Sequence, residues 1–327
     1  QDNVNAPITQ TSNVAFQNDQ QRPDSVQEDA DQPFQGSDVD EKKADKKAGK
    51  PLNYPDLVKG NVEDAWRAGY KGEHIAVAVI DTGADVTHKD FSTAPNDPKF
   101  AKEDIEKIIS ELGHGRYVSP KIPYVHNVVD NNDDNIKQIP KKDKDGSREV
   151  PHGQHVAGII AADGHPDASN PKYIVGVAPE AQLMILRYFD EGKAQPQISD
   201  AIYDAVNAGA DVISLSLGDF LKAQDLNEAN QRAVQYAIEH GVVVSIAASN
   251  NGNSASVNNP SHIKDYEEKG YEPESNAGNY EPFNSGTISS PGVSKNAITV
   301  ASETSTIDEN GGDMSTFSGW GPLPRSE

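Results

Sequence analysis

The sequence predicts an α/β fold of three layers around a mainly parallel central sheet, and three observations carry that prediction. Short apolar runs without alternation recur, as in Ile75-Ala76-Val77-Ala78-Val79-Ile80, and such a run suits a strand buried on both faces. Between the runs lie segments with apolar residues at helical spacing. Gly209 and Gly241 stand just past two of these segments, where helices commonly stop. Strands and helices alternating at this length imply βαβ units, and hence a parallel sheet with helices on both sides.

Taken in order, residues 1–53 differ from the rest. The first 50 hold eight Gln, ten Asp or Glu and six Lys or Arg, with only Phe16 and Phe34 as aromatics. So polar a stretch cannot bury enough apolar area to offset chain entropy, and it reads as a disordered N-terminal arm. The charge run Asp40 to Lys50 at its end fits a solvated linker. From Tyr54 to Glu327 the pattern is that of a folded domain. Asn61-Val62-Glu63-Asp64 resembles a helix start, with Asn61 as cap and acids in the first turn. Ile75–Ile80 is a buried strand, His152 to Ala162 a small-residue helix, and Leu183 to Leu186 a second strand. Ala201, Ile202, Ala205 and Val206 mark a helix, and Val212 to Leu217 a strand. Leu226 to His240 is helical through Ala229, Ala233 and Ala237, and Val242–Ala248 and Ala297–Ala301 are further strands. Asp130 to Glu149 and Asn251 to Asn284 lack periodicity and read as long surface loops.

Composition narrows the function. The chain carries 29 Lys and Arg against 51 Asp and Glu, a formal net charge of −22. Such a surface repels phosphates and anionic lipid, which argues against nucleic-acid or membrane-surface partners. The longest apolar runs are far too short to span a bilayer. With no cysteine in the sequence, disulfides, thiolate catalysis and Cys-type zinc sites are excluded.

Three segments carry chemistry. Val79-Ile80-Asp81-Thr82-Gly83 places Asp81 at the end of a buried strand, the sheet edge where α/β proteins build their sites. Apolar-apolar-Asp-Thr-Gly is also the signature of aspartic proteases. That chemistry needs two such carboxylates sharing a proton, and one Asp-Thr-Gly among interleaved helices suits it poorly. The second segment, His152-Gly153-Gln154-His155-Val156-Ala157-Gly158, puts His152 at a helix start, followed by small residues that allow close packing on a sheet. A zinc helix is disfavoured, since the two histidines are three apart and the Glu of His-Glu-x-x-His is missing. The third, Ala248-Ser249-Asn250-Asn251-Gly252, follows a buried strand. An Asn there is either a turn residue or a side-chain amide able to donate to a developing oxyanion.

In this order the segments resemble the Asp, His and Asn motifs of the subtilisin-like serine proteases, whose chain order is Asp…His…Ser. The resemblance runs from about residue 55 to 321. It includes Ile213-Ser214-Leu215-Ser216-Leu217-Gly218, similar to the family's cleft strand, with Gln154 where the family has Thr and Ser249 where it has Gly. Asp130-Asn131-Asn132-Asp133, Ser290-Pro291-Gly292 and Phe317-Ser318-Gly319-Trp320-Gly321-Pro322 resemble the lactocepin-type cell-envelope proteinases of Gram-positive bacteria. The resemblance implies a subtilisin-like fold and an extracellular endopeptidase acting on extended protein or peptide substrates. It implies roles too: His152 as general base, Asp81 as its orienting carboxylate, and Asn250 as oxyanion donor, with Asn251 the adjacent alternative. Ser216, Leu217 and Gly218 would pair with the substrate backbone, and His155 would pack or hydrogen-bond near its helix. It also implies a structural calcium at Asp90, with further oxygens from the loop Asp163 to Asn170, and no cofactor for catalysis.

The family's Gly-Thr-Ser-Met-Ala, which carries the nucleophile, does not occur in these 327 residues. Ser285-Gly286-Thr287-Ile288-Ser289-Ser290-Pro291 is a near match, but it leads into a strand where the nucleophile should open a helix. Ser289 and Ser290 are therefore not expected to be catalytic. The expectation is a fold incomplete at its C-terminus, with the serine beyond Glu327 on a downstream segment or a second chain, and this chain inactive alone. The competing expectation is a pseudoprotease or binding module that uses the cleft without chemistry.

Overall fold

The computed structural model describes residues 50–137, 151–165, 172–189, 196–218, 229–250, 288–308, 311–315 and 317–319. The N-terminal arm up to residue 49 and most of the two long loops lie outside the described residues. Leu52 and Asn53 are already tied to the domain, through the Leu52 amide on the Tyr173 carbonyl at 3.0 Å and Asn53 Nδ2 on the Val175 carbonyl at 2.6 Å.

The first two elements are short helices, α1 (Tyr54–Lys59) and α2 (Val62–Arg67). They bury Leu57 and Val62, and Trp66 Nε1 donates to the Val177 carbonyl at 2.8 Å. The expected cap at Asn61 is not one. Asn61 sits at φ 53°, ψ 29° with no side-chain cap bond; it makes the left-handed turn between two helices, a conformation Asn tolerates better than most residues. Then come β1 (Ala76–Asp81), a one-turn 3₁₀ segment (Lys89–Phe91), α3 (Lys102–Leu112), β2 (Tyr124–Asn127), α4 (His152–Ala161) and β3 (Gln182–Arg187). The second half runs α5 (Ile198–Asn207), β4 (Val212–Leu215), α6 (Ala229–Glu239), β5 (Val243–Ala247) and β6 (Ile298–Val300), followed by the hairpin strands β7 (Glu303–Asp308) and β8 (Gly311–Met314).

The main sheet has six strands in the order β2-β3-β1-β4-β5-β6, all parallel. β1 is apolar on both faces because both are covered. Ala76, Ala78 and Ile80 face a cluster with Ile105 of α3, Ile202 of α5 and Val234 of α6. Val77 and Val79 face Ala157 and Ala161 of α4. The chain is therefore a three-layer α/β domain. β2 and β3 lie on one side of β1, and β4 to β6 on the other. The order reverses at β1, and in such sheets a crevice opens beyond the carboxyl ends of the strands at that point.

Candidate active site

Asp81 ends β1 and His152 opens α4. Two glycines let these ends meet. Gly83 has φ 89°, a left-handed value, and a Cβ there would collide with the Ile136 carbonyl. A Cβ at Gly153 would collide with the Gly83 carbonyl and stand 3.1 Å from the Asp81 Cβ. The first turn of α4 can thus lie directly on the loop after β1.

His152 Nδ1 lies 2.8 Å from Asp81 Oδ1 and 2.9 Å from Oδ2. With Asp81 ionised, Nδ1–H is the donor, and Nε2 is the ring nitrogen left with a lone pair. The carboxylate is itself fixed: the Thr82 amide donates to Oδ1 at 2.7 Å, and the Thr82 hydroxyl accepts from the Gly153 amide at 2.8 Å. The Asp81 side chain is buried, whereas that of His152 is more than half exposed. The hydrogen bond to Asp81 raises the imidazole pKa above its usual value, against the smaller opposing effect of burial. A buried carboxylate beneath an accessible imidazole makes an oriented general base.

The other expected site residues reach the same edge of the sheet. Ser216, Leu217 and Gly218 leave the carboxyl end of β4, the neighbour of β1. Asn250 is exposed, three residues past the end of β5, the next strand over. Two strand spacings put the β1 and β5 ends about 10 Å apart. Ser249 has φ 99°, a value that favours glycine. The Gly319 amide donates to the Ser249 carbonyl at 3.1 Å, and a Cβ on Gly319 would collide with the Ala248 carbonyl. The Phe317-Ser318-Gly319 segment thus supports the Asn250 turn from behind.

Gln154, the departure from the family's Thr, has its own account: its Oε1 accepts from the Asp85 amide at 2.5 Å, a further tie between α4 and the Asp81 loop. Sequence reasoning missed both this bond and the Thr82 bridge, although Thr82 stands inside the Asp-Thr-Gly motif. His155 was expected to pack or hydrogen-bond near its helix; among the described residues its side chain is not packed. It is exposed on α4, because it lies midway between Gly153 and Ala157 of the buried face and two residues turn a helix by about 200°. Ser289 and Ser290 are buried, and the chain passes from them through a turn into β6 rather than a helix.

Asp90 is buried in the 3₁₀ turn. One of its carboxylate oxygens accepts from the Ile174 amide at 3.2 Å, and its carbonyl accepts from the Asp163 amide at 2.8 Å. Burial raises the Asp163 carboxyl pKa. The donors gathered here are oxygens, the type calcium takes, but residues 166–170 of the expected loop lie outside the described residues.

An aspartate at the end of a central parallel strand, holding a helix-opening histidine through Nδ1, has the geometry that the acid–base half of a Ser-His-Asp hydrolase site requires. The model of the subtilase family, peptidase S8, matches residues 72–326, and the chain belongs to that family. It is 38% identical over 253 residues to the PIII-type proteinase of Lactococcus lactis subsp. cremoris strain SK11, covering 75% of this chain and 12% of that protein. It is 34% identical over 209 residues to the C5a peptidase of Streptococcus pyogenes serotype M1, covering 61% of this chain and 16% of the relative. The chain thus spans about an eighth of the length of the curated proteinases it matches. Among solved structures, a lanthipeptide protease matches with TM-score 0.49 and 20% identity, over 82% of this chain and 59% of that one. The aspartic-protease alternative falls with the family match and with the pairing of Asp81 to a histidine rather than to a second carboxylate.

Proposed function

We propose that residues 54–327 form the N-terminal part of a subtilisin-class serine endopeptidase domain, behind a polar arm. In this reading Asp81, His152 and Asn250 serve a nucleophilic serine that lies outside these 327 residues. The single observation that carries it is the Nδ1–carboxylate bond between His152 and the buried Asp81. An extended peptide would lie along Ser216-Leu217-Gly218 as an added strand. His152 Nε2 takes the serine hydroxyl proton as the oxygen attacks the scissile carbonyl carbon. Asp81 stabilises the resulting imidazolium, and the Asn250 amide donates to the oxygen on which the electron pair collects. When the tetrahedral intermediate collapses, the C–N bond breaks and His152 returns the proton to the leaving amine. Water then repeats the sequence on the acyl-enzyme.

The proposal places the enzyme outside the cell, at the envelope of a Gram-positive bacterium, in keeping with its similarity to Lactococcus and Streptococcus proteinases. A structural calcium on Asp90, completed by oxygens from residues 163–170, belongs to the same proposal.

Fluorophosphonate labelling tests it. The 327-residue chain should take no stoichiometric label. A longer chain, or a mixture with a segment carrying Gly-Thr-Ser-Met-Ala, should label, and should lose the label with His152→Ala. Stoichiometric labelling of the short chain would overturn the assignment of the serine. A longer chain that stays unlabelled and folded would favour the pseudoprotease.

A further inference from the structure

We propose that His114, His126 and Asp204 form a binding site for one divalent transition-metal ion of the zinc class. The site lies on the α5 side of the sheet, the face opposite α4 and His152. The residues come from three elements far apart in sequence: His114 follows the left-handed Gly113 that ends α3, His126 is in β2, and Asp204 is in α5. One ligand atom from each lies within 4.8 Å of the others. His114 Nε2 is 2.6 Å from Asp204 Oδ1. The two imidazoles stack, with centroids 4.2 Å apart and planes 28° apart.

The surroundings have the form that metal ligands need. A ligating histidine ordinarily gives its other ring nitrogen to a carboxylate or carbonyl, which fixes the tautomer. His126 Nδ1 lies 2.8 Å from Asp133 Oδ1, leaving Nε2 for an ion. Asp133 is itself held by the amides of Asn127 and Gly115, each at 2.8 Å. The Tyr124 hydroxyl donates to Asp204 Oδ2 at 2.9 Å. His126 and Asp204 are buried while His114 is partly exposed, which provides an entry path and room for a water in the fourth position. Two imidazole nitrogens and one carboxylate oxygen select zinc, cobalt, nickel or copper over calcium or magnesium. Bound there, the ion would clamp the edge strand β2 and the end of α3 to α5.

Titration of the untagged, metal-free 327-residue chain with Zn²⁺ tests this by calorimetry and by the shift in unfolding temperature. The expected result is one ion per chain, a raised unfolding midpoint, and no displacement by excess Ca²⁺. His114→Gln, at the partly exposed ligand, should keep the circular dichroism of the parent and lower Zn²⁺ affinity on the order of 100-fold, and Asp133→Asn should lower it about 10–100-fold. A folded chain that takes up no stoichiometric Zn²⁺ would refute the site. So would uptake that His114→Gln leaves unchanged, or uptake that Ca²⁺ reverses.

Discussion

Val77 and Val243 occupy one row on one face of the sheet, linked through Val212 by the register of β1, β4 and β5. Val77 is 6% exposed and Val243 is 47% exposed. The difference lies in what covers them. α4 packs on β1 and β3 and seals Val77, Val79, Leu183 and Ile185. Beyond β4 the same face is open: Ile298 and Val300 of β6 are 56% and 51% exposed. Apolar residues side by side on a parallel sheet are the mark of a face built to be covered by a helix. The well-packed region holds Asp81 and His152, and the open region lies beneath Asn250. His152 is therefore built on a finished part of the scaffold, and Asn250 beside a face that has no covering layer among the described residues. A helix carrying the serine beside α4 would cover that face, in keeping with the proposed function.

Substitutions should divide along this line. In a protease that includes the serine segment, His152→Ala is expected to lower kcat about 10⁶-fold, the scale measured for subtilisin itself, and Asn250→Ala about 10²–10³-fold. Steady-state hydrolysis of a peptide substrate measures both; near-equal losses would remove the distinction between base and oxyanion donor. On stability, Ile185→Ala under α4 should cost about 2–5 kcal/mol in urea unfolding of the 327-residue chain. Ile298→Ser on the open face should change it by less than about 0.5 kcal/mol. A cost for Ile298→Ser as large as that for Ile185→Ala would mean that the face is covered in solution.

The smallest expected effect is on pH dependence. The base acts when His152 is neutral, and Asp81 raises its pKa. The acid limb of kcat/KM should therefore lie above the ordinary imidazole range and move down in Asp81→Asn. For stability the sign is the reverse of a carboxylate's. A raised histidine pKa contributes fully below its unfolded value and fades as pH rises through the folded one.

Much of this was legible in the sequence. Ile75–Ile80 predicts a strand and Asp81 its end, because only a strand covered on both sides reads as an unbroken apolar run. His152-Gly153 and the small residues after them predict a helix that packs closely on a sheet; the structure adds that Gly153 lies against the Gly83 backbone. Asn61 was misread because a cap and a left-handed turn favour the same residue. α3 was passed over although Ile105, Ile108, Ile109 and Leu112 keep helical spacing, and β2 is only four residues long, too short to show a period. Nothing local marks His114, His126 and Asp204 as neighbours, since they stand in three separate segments of the chain.

Local periodicity and motifs contiguous in the chain suffice for the layers and for placing Asp81 and His152 at the ends of β1 and α4. Only the tertiary structure decided which strands stand beside which. It also decided the exposure of Val243, Ile298 and Val300 on one face of β5 and β6 and the meeting of two histidines and an aspartate up to 90 residues apart. Those outcomes depend on the crossing of chain segments, which side-chain patterns along a single segment do not encode.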